Sequence, residues 1–177
     1  MSAWETISGH DLRQGDVLQR CLVPLPGPKY GTSKEAEDLL IAEVRLLILT
    51  QSCDLLIQPG CRTARAQSVA LCRAYTLDEF AGARSDFAKP DTREKARQGR
   101  IEGVHLLPSP IDPRDNQTVL VAHFREVFSL PFSYLQAHAA SMPGRPRLMS
   151  PYLEHFAQGF ARFFMRVGLP LDIPPYR

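Results

Sequence analysis

The stretch Arg45–Leu56, RLLILTQSCDLL, decides how the rest of the chain is read. Val44 and Leu46–Leu49 form an apolar run of the kind found in a strand covered on both faces. The run stops at Thr50, Gln51, Ser52, Cys53 and Asp54. Hydroxyl, amide, thiol and carboxylate groups therefore stand together where a core strand ends. Side chains fixed to the end of a rigid strand keep their geometry better than side chains on a free loop. This strand end, with Asp16, is the first candidate binding pocket.

Outward from this strand the elements alternate. Gly15-Asp16 is a turn leading into a strand over 17–23. The Pro/Gly loop PLPGPKYGT follows at 24–32, and Thr32 with Glu35 has capping-box spacing, so 34–40 is either a short helix or more strand. The central strand spans about 43–51. Pro59-Gly60 marks a turn inside a 57–68 loop, and 69–75 is a further strand. Thr76 with Glu79 again has capping-box spacing and opens a helix over 77–84. Pro90-Asp91 starts a charged helix over 92–98, so 77–103 reads as a helical insert. A short strand covers 104–107, and 108–117 is a turn-rich connection. A strand follows over 118–124, with 125–130 continuing it or bending away. Pro131 suits the first position of a short helix over 131–139. Residues 1–14 contain a short helix or turn, with SGHD at 8–11 as its start signal.

The last element, about 150–167, has the strongest pattern. Leu153, Phe156, Phe160, Phe163, Phe164 and Val167 recur at three-four spacing, with Ser150 as cap, Pro151 at the first position and Gly168 as stop. An apolar face of this size packs on the body of the domain or on a partner, and burying each residue is worth about 1.5–3 kcal/mol before entropy. The order of elements predicts one α+β domain, mainly β. It is a small antiparallel barrel or half-barrel with a helical insert and a C-terminal amphipathic helix.

Composition limits the function classes. The chain has 177 residues with 44% hydrophobic content, enough to bury a core, and 15 prolines clustered at 24–28, 108–113, 143–146 and 170–175, which argues against a helical bundle. A net charge of +2 does not by itself imply nucleic-acid binding. The basic stretches 93–100 and 145–147 read as solvated surface. There is no basic segment followed by an apolar core at the N-terminus, and no apolar run of the roughly 18–20 residues that a bilayer requires. A cytoplasmic protein without membrane contact is expected. Cys21, Cys53, Cys61 and Cys72 include no CxxC pair and no zinc spacing. Free thiols are expected, with Cys21 and Cys72 in the core, and neither a metal nor another cofactor.

The order of pieces resembles the MazF/PemK toxin family, whose fold is an SH3-like barrel. The Gly-Asp turn before the first strand (Gly15-Asp16-Val17), an Arg ahead of the apolar strand (Arg45, then LLILTQS), a later strand ending in Thr (VALCRAYT, to Thr76) and the segment HFREVFSLPFSYL carry the resemblance over about 12–135. The family's Gly-Ser-Glu-Gln loop is absent, and Leu46 stands where Pro usually follows the Arg. The resemblance implies a bacterial toxin–antitoxin or defence protein that binds RNA. It also implies a metal-independent endoribonuclease using Arg45 and Thr76, with cleavage by the RNA's own 2′-hydroxyl.

Each functional reading has a structural counterpart. Arg45 is either the positive charge on a phosphorane-like transition state or a strand Arg paired with Glu43 or Asp16. Thr76 either positions a phosphate oxygen or caps a helix. Cys53 is either a nucleophile served by His105 or His123, or a core-filling thiol beside Ser52 and Asp54 that bond backbone groups. Asp54 next to the thiol weakens it as a nucleophile. Asp16 and Asp54 as a Mg²⁺ pair are the least supported by pattern. His10, His138 and His155 carry no signal. The alternative to an RNA-interacting domain is a non-catalytic module that binds a protein partner, or a second copy of itself, through its Phe-rich C-terminal helix and strand-end pocket.

Overall fold

The computed structural model describes residues 2–30, 39–61, 63–112, 115 and 118–165. Among them seven strands form two antiparallel sheets, with helices between and beside them. The strands are β1 (Trp4–Ile7), β2 (Val17–Pro26), β3 (Leu39–Ile48), β4 (Ser68–Thr76), β5 (Val104–Leu107), β6 (Leu120–Pro131) and β7 (Arg145–Leu148). The helices are α1 (Ser52–Leu55), α2 (Leu77–Ala83), α3 (Pro90–Arg97), α4 (Phe132–Ser141) and α5 (Tyr152–Phe164). The larger sheet has the order β2-β3-β4-β6-β5, and β1 pairs with β7. The fold is α+β. The strand ladders do not close into a barrel, because β5 ends the larger sheet. One antiparallel bridge, Asp16 to Arg147, links β7 to the start of β2. On the far side, the Trp4 indole N–H donates to the carbonyl of Pro108 just past β5 (2.9 Å).

The central strand is covered on both faces, as its apolar run predicts. Leu46 and Ile48 join a core with Leu18, Cys21, Leu71 and α4 residues Phe132 and Leu135. Leu47 and Leu49 join the opposite core with Trp4, Cys72, Phe124, Leu148 and Phe156. Burial pushes the Cys21 thiol up to about 12 and raises that of Cys72 as well, so both stay protonated core residues. The helical insert packs through a third core, Leu77, Phe80, Phe87 and Ala96 on Val104 and Val121. Strand β6 runs through the whole of 120–131, so 125–130 continues the strand. Pro131 sits one position before α4 as its N-cap, not inside it. Likewise Pro151 precedes α5, and Ser150 makes no capping bond. The expected element at 34–38 and the expected stop at 166–168 lie outside the described residues.

One expectation is overturned, and one element is added, for the same reason. Within 1–14 the expected turn lies after residue 8, and residues 4–7 ahead of it form a strand; 145–147 are not solvated surface but lie in the strand that pairs with it. Arg145 is fully buried and Arg147 nearly so, and both bond the buried carboxylate of Asp16. Arg145 Nε donates to Asp16 Oδ2 (2.9 Å), while Arg147 Nε and Nη2 donate to Oδ1 (2.5 Å) and Oδ2 (2.9 Å). Arg145 also donates to the carbonyls of Gly9 (2.7 Å) and Asp11, and Arg147 to that of Asp11 (3.0 Å). Charges at this depth persist only when paired and hydrogen-bonded. The partner of each lies some 130 residues away in sequence, where no local pattern reaches.

Gly15 belongs to the same junction. Its φ of +84° favours glycine, and a Cβ there would lie 2.9 Å from both Leu148 Cβ and Leu153 Cδ1. Its N–H donates to the Ile48 carbonyl, and its own carbonyl accepts from Leu148 N–H (both 3.0 Å). Among the described residues no helix is long and apolar enough to cross a membrane.

Helix α5 spends its buried face on this body. Phe156 is fully buried, and Phe160 and Phe163 pack beside Phe124. Gly159 makes room for His105, since a Cβ there would lie 3.0 Å from His105 Nδ1. Burial, with a smaller contribution from the nearby His155, pushes the His105 imidazole down to about 4.

Two outcomes follow for stability. Replacing Asp16 with Ala strands two buried guanidinium groups, and urea unfolding should show a loss of about 3–5 kcal/mol. His105 has a folded value below its unfolded value, so the unfolded chain takes up its proton first. Its contribution is complete above about pH 6.5 and is lost as the pH falls to about 4. Unfolding midpoints measured across that window should fall for the wild type and fall less for His105→Gln.

Candidate functional site

The two residues singled out as catalytic come together, and the polar strand end does not join them. Arg45 Nη1 donates to Glu79 Oε2 (2.8 Å). The same carboxylate oxygen accepts the backbone N–H of Thr76 (2.7 Å), while Thr76 Oγ1 accepts the N–H of Glu79 (3.2 Å). Thr76 and Glu79 thus form the capping box of α2, and that box holds Arg45. The pairing of Arg45 is with Glu79, not with Glu43 or Asp16. Burial alone would raise the Glu79 carboxyl. The Thr76 backbone N–H and the Arg45 guanidinium outweigh it and hold the carboxyl below its ordinary value.

Arg45 lines an open groove of about 240 Å³ with Gln19, Arg20, Glu43, Val44, Arg73, Ala74, Tyr75 and Glu79. Two breaks in strand register shape it. In β2, Gln19 and Arg20 are both fitted between the Leu18–Leu46 and Cys21–Val44 pairs, opposite Arg45 alone. Arg20 takes φ +58°, an uncommon conformation for a residue with a side chain. In β6, residues 124–126 are extra between the Cys72–Val127 and Arg73–His123 pairs. The first bulge carries Arg20 and faces Arg45, the second stands beside Arg73, and bulges re-aim side chains in this way.

The second bulge brings Glu126 onto Arg73. Arg73 Nη1 donates to Glu126 Oε2 (3.1 Å), and Tyr75 Oη donates to both carboxylate oxygens (2.8 and 2.9 Å). His123 Nδ1 lies 2.9 Å from Glu126 Oε1. Burial would raise the Glu126 carboxyl, but the bonds from Tyr75 and His123 and the charge of Arg73 hold it low. The Tyr75 phenol is raised, first by burial and then by Glu126, so it stays a donor. At the rim, Arg20 pairs with Glu43 (2.9 Å). The groove therefore presents Arg20, Arg45 and Arg73, each held by one carboxylate. Guanidinium groups of this kind are matched to the oxygens of carboxylates and phosphates alike.

The polar strand end has a structural task. Thr50 Oγ1 accepts the N–H of Ala70 (2.8 Å), Ser52 Oγ accepts the N–H of Gln14 (3.2 Å), and Gln14 Nε2 donates to the Leu49 carbonyl (2.9 Å). Gln51 precedes α1 as its N-cap residue without a side-chain capping bond. Asp54 faces Arg65 at 3.5 Å. These bonds fasten the end of β3 to the Gly15 turn and to β4. The Asp16 carbonyl accepts the Ile48 N–H at that end (3.1 Å), but its carboxylate turns away to Arg145 and Arg147 and does not join Thr50–Asp54.

Cys53 is exposed, which corrects its reading as a core residue, and its Sγ lies 3.7 Å from Gln51 Oε1. It shares a small pocket of about 160 Å³ with Cys61, Gln58, Thr63 and Arg65. Neither candidate base serves it. His105 packs on Phe124 and Phe156, and His123 on Tyr75, Phe80 and Glu126. Asp16 and Asp54 each face arginine, so they form no carboxylate pair for Mg²⁺. Among the described residues no group of three or more His, Cys, Asp or Glu is placed to hold a metal ion.

No local sequence pattern marks Arg20, Arg73, Tyr75 or Glu126 as site residues. Their approach depends on the two bulges, and only the spacing of Arg73 and Tyr75, two apart on one strand, hinted at a shared side. The capping box gives a direct check. Thr76→Ala should lower stability by about 1 kcal/mol in thermal unfolding, and Thr76→Ser should restore most of it. No family model, curated protein or solved structure matches the chain, so the chemistry of the groove is read from its own residues.

Proposed function

We propose that this protein is an RNA-interacting domain of the MazF/PemK-like kind and a metal-independent endoribonuclease, with the arginine groove as its site. The observation that carries the reading is the linkage of Arg45 to Thr76 through Glu79, at the edge of a groove that also presents Arg20 and Arg73. The fold reading goes with it. The bridge from β1-β7 to β2-β3-β4-β6-β5 and the Trp4 bond to Pro108 support reading the two sheets as an SH3-like barrel left open at one seam.

In this reading a phosphodiester displaces Glu79 from Arg45. The guanidinium then faces the negative charge that builds on the phosphorane, where a preorganised donor is worth most. The Thr76 hydroxyl, its oxygen already accepting from Glu79, donates its proton to a non-bridging oxygen. The RNA's 2′-oxygen attacks the adjacent phosphorus and gives its proton to the freed Glu79 carboxylate. The bond to the 5′-oxygen breaks, and that oxygen takes a proton from solvent in the open groove. The products are a 2′,3′-cyclic phosphate and a 5′-hydroxyl end.

A second reading, a module that docks a protein partner, rests on the end of α5. There Phe164 and Met165 are 54% and 79% exposed while Phe156 is covered.

Purified protein incubated with mixed RNA in excess chelator should cleave it, and Arg45→Ala should cleave about 10²–10³-fold more slowly. Neither binding nor cleavage by the wild type, or equal rates for the variant, overturns the assignment. Loss of activity in Cys53→Ser with Arg45→Ala unaffected would move the chemistry to the thiol.

A further inference from the structure

The arginine groove does not end at Arg20. Gln19, Arg20 and Glu43 also line a second, larger cavity of about 530 Å³, completed by Leu22, Tyr134, His138, Ser141, Met142, Pro143 and Gly144. Its size falls among small-ligand sites, and its walls differ in kind from those of the first. The Tyr134 and His138 rings lie nearly parallel, with centroids 6.0 Å apart. Both are held from beneath by the edge of β2. Tyr134 Oη accepts the Leu22 N–H (2.9 Å) and reaches the Leu22 carbonyl (3.3 Å), and His138 Nε2 contacts the Gln19 carbonyl (2.7 Å). Since a carbonyl only accepts, Nε2 carries the proton. These bonds fix the rings by their polar tips. Leu22, 53% exposed, stands beside them as an apolar wall.

The groove thus changes along its length from charge to aromatic and apolar surface, with Arg20 between. Single-stranded nucleic acid is recognised by that combination, guanidinium groups tracking phosphates and rings receiving unstacked bases. We propose, resting on the RNA reading above, that a single RNA strand runs from Arg45 and Arg73 over Arg20, and that the Tyr134–His138 cavity is a subsite for one of its bases away from the scissile phosphate. The subsite sets affinity and strand placement and takes no part in bond breaking. Arg20, kept in place by its bulge and by Glu43, holds the phosphate between the two.

The test compares uncleavable 2′-deoxy-substituted RNA oligonucleotides of two lengths by fluorescence anisotropy. A dinucleotide reaches the arginines alone, and an octanucleotide also reaches the second cavity. The wild type should bind the octanucleotide about fivefold or more tighter than the charge difference explains at matched high salt, since one stacked base is worth about 1–3 kcal/mol. Ser141→Trp, an exposed position that fills the cavity, should abolish that advantage and leave dinucleotide binding unchanged. Leu22→Ala should reduce it. Unfolding curves matched to wild type show that both variants fold. If Arg45→Ala weakens both lengths while Ser141→Trp and Leu22→Ala weaken neither, the RNA reading stands and the base subsite is wrong. If the wild type binds neither length, both fall together.

Discussion

The burial of one carboxylate between two guanidinium groups is the constraint on which the rest of this structure depends. Asp16 sits at the start of β2, and Arg145 and Arg147 sit on β7, so the cluster joins the first turn of the larger sheet to a strand from the far end of the chain. Two positive charges against one negative would be poor economy in a dry interior. The carbonyls of Gly9 and Asp11 complete the set, and charge-assisted bonds of this kind are the strong ones. Gly9, at φ +87°, belongs to the turn that carries one of those carbonyls. Well-packed apolar residues often serve stability as well as a buried ion cluster does. What the cluster adds is direction. It specifies which strand crosses the start of β2, and at which residue.

That specification propagates to the site. With β7 bridged to Asp16, Leu148 comes against Gly15 and the β1–β7 ribbon covers Leu47, Leu49 and Cys72. Strand β3 is then apolar on both sides along its inner half and free to be polar only toward its ends. At one end Thr50 and Ser52 fasten neighbouring backbone. On its outer half Glu43 and Arg45 emerge beside the β2 bulge. The groove exists because the same strand that forms the centre of both cores carries charge just where its neighbour loses register.

What was legible in the sequence follows from the range of each interaction. The doubly covered strand 44–49 shows as an unbroken apolar run. The Thr76–Glu79 box shows because its two partners are three residues apart. The role of Ser52 shows because such a side chain bonds backbone where a strand stops, whereas Thr50 takes that role unmarked and the Asp54 carboxylate faces Arg65 instead of backbone. Arg-Pro-Arg at 145–147 looks like solvated surface, since nothing local reveals a carboxylate waiting 129 residues earlier. For the same reason β1 was not legible, because four residues with a strand partner at the other end of the chain carry little pattern of their own. The sheet arginines were legible as residues but not as a group. Their meeting rests on one extra residue in β2 and three in β6, and a register break leaves almost no mark on a single sequence.

The groove's charge balance is the most informative feature for its chemistry. Three arginines with three carboxylates make a surface that does not attract polyanions from a distance, in keeping with a net charge of only +2. Each of its arginines is instead already paired with a Glu. Such a surface draws a charged ligand more weakly than a bare basic patch, since any incoming oxyanion has a carboxylate to compete with. Glu79 is held less firmly than Glu126. It is half exposed, and its carboxylate is shared between Arg45 and the cap of α2. Releasing it frees a guanidinium and a carboxylate in one event, whereas Glu126, held by Tyr75, Arg73 and His123, stays where it is. The asymmetry makes Arg73 the more firmly placed of the two arginines and Arg45 the one whose partner is shared with a helix cap.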